Sequence, residues 1–291
     1  MQLLVNGLVT GAVLAMAAVG VTLVYGVLGV VNFAHGEYLT IGAYIAFLGN
    51  VTFGLGIVWA VIVAILGVAA MSVALEFALW RPMRNRRAGT YSVFITAIGL
   101  SLILRQLLLV SFGGESRQFN LNAFVTHSFG GIRLSTSQLV AVCIAAAANL
   151  AVGLLLARSK LGRSMRAYSE SPALAGVSGI NPKRVVVWTW LLAGGLAGLA
   201  GVMQALVQTS FGPNMGYSLL LPVFAAVVLG TIGNAYGALL GGFTLGVLMQ
   251  VSTWSKLFGG VPPVYMPVVA FVALAVVLLL RPQGLLVRST A

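Results

Sequence analysis

His35 and Glu37 stand two residues apart in Asn32-Phe33-Ala34-His35-Gly36-Glu37-Tyr38, a polar cluster between two apolar runs. Ionisable groups bordering apolar depth are functional-site candidates. Two chemistries suit them: polar lining of a gated pathway, or a hydrated interfacial loop with no function. Catalysis fits poorly, because His and Glu two apart on a helix do not share a face and no nucleophile or third ligand accompanies them. The other histidine, His127, lies far along the chain, so a zinc site is not expected. The single cysteine, Cys143, permits no internal disulfide and reads as a small buried hydrophobe. No Gly-Lys-Ser/Thr follows a glycine-rich loop, so the chain has no such route to ATP. Glu76 precedes Trp80-Arg81 by one turn and is expected to pair with Arg81 or Arg84. Arg105 is expected to snorkel toward an outward helix end.

The elements that carry these residues must be membrane helices. Of 291 residues, 60 % are hydrophobic and 7 % charged, against about 25 % charged in soluble proteins. Apolar stretches run over 3–31, 38–50, 54–79, 90–112, 138–157, 185–208, 218–233, 236–254 and 264–280. Most reach spanning length, and they lack the two-residue alternation of barrel strands. A soluble enzyme and a disordered chain are excluded. The expected fold is an all-α polytopic membrane protein, a single transmembrane domain over 1–291 with about eight to nine crossings, some short or broken. The segment 38–50 is too short for a normal span, so the N-terminus faces outward if it crosses and inward if it does not. The start of the chain reads as an uncleaved first span.

The net charge of +12 does not point to nucleic acid. Arg81, Arg84, Arg86, Arg87, then Arg158, Lys160, Arg163, Arg166, Lys183, Arg184, then Arg281 and Arg288 fall in three short segments. By the positive-inside rule 80–89, 158–184 and the tail are cytoplasmic. The links 113–137, 209–217 and 255–263, holding Arg117, Arg133 and Lys256, then face outward.

Glycine pairs at small-xxx-small spacing, such as Gly7/Gly11, Gly194/Gly198, Ala197/Gly201, Gly237/Gly241 and Gly242/Gly246, predict close helix contacts. Thr40-Ile41-Gly42-Ala43-Tyr44 is echoed by Thr231-Ile232-Gly233-Asn234-Ala235-Tyr236, a hint of matched broken segments near a transport site. The 158–184 loop reads as two short helices, with Ser171 capping the second, Pro172 in its first turn and Gly179 ending it. It is either a docking knob or a solvated basic loop.

Tyr25-Gly26-Val27-Leu28 followed by Asn32-Phe33-Ala34-His35-Gly36-Glu37 resembles the signature of LivH-like permeases. These are membrane subunits of ATP-binding-cassette importers for branched-chain amino acids. Glu170, Ala173, Ala175, Gly176, Gly179, Ile180 and Asn181 resemble the family's coupling loop. The stretch Gly230-Thr231-Ile232-Gly233-Asn234-Ala235-Tyr236-Gly237-Ala238 and the tail Arg281-Pro282-Gln283-Gly284-Leu285 also fit, in order along nearly the whole chain. The resemblance implies a translocation subunit of the bacterial inner membrane with no cofactor of its own and no enzymatic activity. It implies ABC ATPase subunits docked on 158–184, a second permease subunit, and an extracytoplasmic substrate-binding protein. Arg163, Arg166, Glu170, Ala173, Gly176, Gly179 and Asn181 then belong to the ATPase interface, while Asn32, His35, Glu37, Thr231 and Asn234 are pathway candidates. The chain departs from the pattern in Ser169-Glu170-Ser171-Pro172-Ala173, where relatives carry further acidic groups; it has no Asp at all. Related permeases carry urea or short-chain amides, so those substrates stay open, as does a stand-alone channel or secondary transporter.

Overall fold

The computed structural model describes residues 2–120, 126–129, 132–254 and 260–280. Met1, Lys256 and the tail from Arg281, with Arg288, lie outside the described residues. The helices are α1 (Gln2–Leu28), α2 (His35–Phe47), α3 (Ile57–Leu75), α4 (Arg81–Asn85), α5 (Thr90–Phe112) and α6 (Thr136–Arg158). They continue as α7 (Lys160–Glu170), α8 (Pro172–Val177), α9 (Pro182–Gln208), α10 (Met215–Leu229), α11 (Ala235–Val251) and α12 (Met266–Leu280). A small antiparallel hairpin, β1 (Thr126–Phe129) with β2 (Ile132–Ser135), precedes α6; nothing in the local sequence had suggested strands there.

Among the described residues six helices are long and apolar enough to cross a membrane, with α10 and α11 as shorter apolar ones. The chain is a multi-pass helical membrane protein, as its composition required. Among the long helices α1 and α9 are the hub: 89 % and 78 % of their apolar windows are buried, against 6 % for the span that ends in α12. A helix apolar all round belongs either inside a bundle or against lipid, and burial separates the two.

The glycine pairs make the hub compact. Gly7 and Gly11 of α1 meet Val247 and Phe243 of α11, and Gly242 and Gly246 return the contact against Ala15 and Gly11. On α9, Gly194 seats Ser72 of α3 and Gly201 seats Leu39 of α2; Gly237 and Gly241 of α11 lie against Gly230 and Ala226. Without a hydrophobic drive between helix and lipid, such backbone approach supplies the dispersion energy that holds the bundle. Hydrogen bonds between helices add to it: Ser72 Oγ donates to the Trp190 carbonyl at 2.7 Å, and Asn149 Nδ2 to the Ala12 carbonyl at 3.3 Å.

The two ends of the bundle are chemically distinct. At one end the close of α1 meets α7 and the α10–α11 turn around a shared cavity, and the basic α4 follows Trp80, which stacks on Trp190 near the start of α9. At the other, Asn6 of α1 shares a cavity with Ser116, Gln208 and Asn214. The basic segments gather at the first end, which the positive-inside rule expects in the cytoplasm; on that expectation the other, which holds the N-terminal end of α1, is the outer end. Helix α2 therefore climbs back to the outer end, where Asn50 Oδ1 accepts from the Asn120 backbone N–H at 3.0 Å. The short piece is preceded by the non-helical turn at 29–34, and it does not reach the length of a full span.

Helix α3 passes into α4 through a π-helical turn, Glu76–Trp80. Glu76 is buried and pairs bidentately with Arg84, which settles the choice between Arg81 and Arg84; one of the two bonds, Arg84 Nη1 to Glu76 Oε2, is 3.1 Å. Arg81 instead lies over the Phe77 ring. Replacing Arg84 with Ala strands the carboxylate, which costs about 3–5 kcal/mol where both partners are buried. Because the Arg84 side chain is 31 % exposed, Arg84→Ala is expected to destabilise by roughly 2 kcal/mol. A lowered melting temperature in detergent, with Glu76→Gln milder, checks it.

Candidate functional site

The polar interior is built by the break after α1. Gly29 takes φ +67°, a left-handed conformation that ends a helix at little cost for glycine. Asn32 Oδ1 then accepts from the Ala34 N–H at 3.1 Å, and α2 begins at His35, deep in the bundle. The imidazole fits because Gly20 opposite has no side chain: a Cβ there would stand 2.8 Å from His35 Cε1. Gly36 lies against the backbone of Gly216, whose N–H donates to Thr40 Oγ1 at 2.9 Å, tying α2 to the start of α10.

Asn32, His35 and Glu37 are all almost fully buried, and their polar atoms are poorly satisfied. Both His35 ring nitrogens, Asn32 Nδ2, Glu37 Oε2, the Tyr38 hydroxyl, and the indole N–H groups of Trp80 and Trp190 have no well-formed hydrogen bond, although the Ala17 backbone lies beside His35. The Tyr38 hydroxyl lies beside Asn32 and Trp80, and the His35 and Tyr38 rings are 6.0 Å apart. Glu37 Oε1 receives only a long 3.4 Å contact from Ser101 Oγ of α5. Such groups cost free energy in a dry interior. They cluster where α1, α2 and α9 meet. Trp80 and Trp190 were missed from the sequence, since aromatic residues in apolar runs read as core; Tyr38 closed the polar cluster but was not singled out.

Thr231 and Asn234 lie elsewhere. They occupy the α10–α11 turn, beside a cytoplasmic-end cavity of about 520 Å³ that Tyr25, Arg166 and Glu170 also line. The lining residues of that cavity do not include Asn32, His35 or Glu37, so the five pathway candidates form two groups. Asn234 is committed locally: its Oδ1 caps α11 by accepting from the Tyr236 and Gly237 N–H groups. The echo between 40–44 and 231–236 does not extend to structure. Thr40–Tyr44 is continuous helix, whereas Thr231 and Gly233 take φ +82° and +86° and form a turn. Cys143 also departs from expectation: it is exposed on α6, not buried.

The 158–184 segment folds as read. Ser159 caps α7 through the Gly162 N–H, Ser171 caps α8 through the Leu174 N–H, and Gly179 follows α8 at φ +82°. Asn181 is the cap of α9, accepting from the Arg184 N–H at 3.3 Å. Arg163, Arg166, Glu170, Ala173, Gly176, Gly179 and Asn181 are all exposed. Arg166 Nη1 also donates to the Leu156 carbonyl at 2.6 Å, and Gly162 lies against the Leu156 backbone, so α7 is fastened to the end of α6. Two residues that sequence reasoning overlooked stand out: Leu174 is 68 % and Val177 89 % exposed, on a short helix outside every span. Three residues apart, the two share one face of α8. The signal available was apolar residues inside a basic, non-spanning loop.

At the outer end a second cavity, of about 620 Å³, is lined by six amide side chains: Asn6, Gln138, Gln204, Gln208, Asn214 and Gln250. Among the described residues no charged side chain lines it. Arg105 sits at its edge, its Nε donating to Asn214 Oδ1 at 2.9 Å and its guanidinium 4.3 Å from the centre of the Tyr217 ring. It lies toward the outward end of α5, as expected.

A family model described as "Branched-chain amino acid transport system / permease component" matches residues 3–279. The high-affinity branched-chain amino acid transport system permease protein BraD of Pseudomonas aeruginosa is 33 % identical, covering 99 % of this chain and 96 % of its own. LivH of Escherichia coli, of the same description, is 32 % identical over the same shares. A probable LivH permease of Methanocaldococcus jannaschii is 28 % identical over 98 % and 91 %. Among solved structures, PsaBC from Streptococcus pneumoniae in complex with Fab superposes with a TM-score of 0.52 at 17 % identity, covering 97 % of this chain and 93 % of that one. That likeness carries the fold alone.

Proposed function

The chain belongs to the family of branched-chain amino acid transport permease components, and from that premise we propose that it is the translocation subunit of an ATP-driven importer. Its cargo in this reading is a branched-chain or other neutral amino acid, carried into the cytoplasm across a bacterial inner membrane. Hydrolysis belongs to separate ATPase chains docked on α7 and α8; a second permease completes the pathway, and an extracytoplasmic binding protein delivers substrate.

The observation that carries the proposal is the α7–α8 knob. It holds exposed apolar residues, Leu174 and Val177, amid exposed polar ones, among them Arg163 and Glu170, at the end of the bundle where the basic segments cluster. A channel or ion-driven transporter has no use for such a platform. Motion of the knob has a rigid route inward. Arg166 and Gly162 fasten α7 to α6, and Tyr236 Oη donates to the Gly153 carbonyl at 3.0 Å, fastening α6 to the start of α11. Helix α11 in turn interlocks with α1 through Gly242 and Gly246. A push on α8 is thereby transmitted to the helix against which His35 rests. Opening that seam would wet Asn32, His35, Glu37 and Tyr38, giving their unsatisfied groups partners that the closed bundle denies them.

Glu170→Ala and Gly176→Trp test this. Apart from Pro182 at 4.0 Å, nothing stands near a Cβ built at Gly176, so the indole projects into the docking face. Both variants are expected to insert and melt as the parent does, yet lose uptake at least tenfold and recover less ATPase in a gentle-detergent pull-down. Normal uptake by both would remove the knob from the interface.

A further inference from the structure

The polar groups of α2, α5 and α10 form a seam from the buried interior to the outer cavity. Glu37 is 0 % exposed, with Oε2 unpartnered and Oε1 facing Ser101. Arg105 follows Ser101 by four residues on α5, one turn nearer the outer end and on the same face. Its Nε is held by Asn214, and its plane is set against Tyr217. A guanidinium carries five N–H donors in a fixed fork. With Nε engaged, the Nη1/Nη2 edge is left for a planar, two-oxygen acceptor, the geometry in which arginine binds carboxylates.

The surroundings narrow the ligand. Among the described residues the outer cavity offers amides and hydroxyls and no charge, so a solute of net charge finds no counter-ion among them. One cation at its edge and one anion a turn deeper suit a molecule that is neutral overall but carries both charges. We propose that Arg105 takes the carboxylate of a zwitterionic α-amino acid at the outer end of this seam, with Glu37 placed to meet its ammonium group. The inference rests on the transport reading above and deepens it: urea or a simple amide would need neither charge.

The test uses the complete transporter, with both permeases, ATPases and loaded binding protein, in proteoliposomes with radiolabelled leucine. Arg105→Gln removes the charge but keeps an amide donor able to reach Asn214, so a mere latch between α5 and α10 survives it. Arg105→Lys keeps the charge and loses the fork. The expected result is uptake reduced roughly 10- to 100-fold by Gln and less than about tenfold by Lys, with both complexes eluting intact from gel filtration. Uptake by Arg105→Gln at the parental rate, or equal loss in Gln and Lys variants, overturns the assignment. Should Arg105→Gln not assemble, the Lys variant decides alone: loss beyond tenfold overturns the proposal. A parent complex that carries urea and no leucine refutes the transport reading itself, a result separable from failure of Arg105.

Discussion

The double replacement Leu174→Asp, Val177→Asp is expected to abolish ATP-dependent uptake while the chain still inserts and folds. Both side chains are exposed on α8 in the isolated chain, so neither contributes much to its own stability. Burying each against a partner is worth about 1.5–3 kcal/mol, and an unpaired carboxylate in the same place adds a desolvation cost of several kcal/mol. The combined loss is on the order of 5 kcal/mol or more, beyond a thousandfold in affinity. Recovery of ATPase in a pull-down and leucine uptake measure it, with the detergent melting temperature as control. The helix itself is preserved, because its cap is Ser171 and Pro172 opens its first turn, and neither is touched. A variant that still binds ATPase would show that α8 is not where the partner seats.

The second large effect lies in the hub. Gly201→Val is expected to prevent the bundle from forming, because a Cβ at this position would overlap the Leu39 backbone of α2. Overpacking among side chains usually costs about 1–3 kcal/mol; here the obstacle is backbone of a helix itself clamped between α9 and α10, which cannot step aside. Folded yield by fluorescence-detected gel filtration should fall to near background. Gly99→Ala supplies the control: nothing stands within 4 Å of a Cβ there, and alanine is the better helix former by about 1 kcal/mol. Its yield and melting temperature should match or exceed the parent's.

The difference between these two glycines also marks how far the sequence could be read. Hydropathy locates the spans within a few residues, because a backbone in lipid has no alternative to helix. Ser171, Pro172 and Gly179 announce α8 because caps and breakers act locally. The glycine pairs announce close contacts, but not with whom: that α1 interlocks with α11, some 230 residues on, is written in shape complementarity, not in any local pattern. The same holds for Ser72 with Trp190, 118 residues apart. The echo of Thr40–Tyr44 in 231–236 misleads for the converse reason. Similar letters fold differently when Gly233 takes a left-handed conformation and Asn234 caps the next helix. Of the candidate site, the polarity of the Asn32–Tyr38 cluster was visible in the sequence, while Trp80 and Trp190, which stack on each other, were hidden by apolar character. Leu174 and Val177 were hidden because their exposure follows only from where α8 lies.

The role proposed for the chain is to carry ATP-driven motion into passage of an amino acid, and reconstitution tests it most directly. Proteoliposomes holding this chain with its partner permease, ATPases and loaded binding protein are assayed for leucine accumulation, with ATP supplied only to the face that bears α7 and α8. The account predicts accumulation on that same face, abolished when ATP or the ATPases are withheld. Leucine equilibrating through the chain alone, without ATP or partners, would contradict it and identify a channel or self-sufficient carrier.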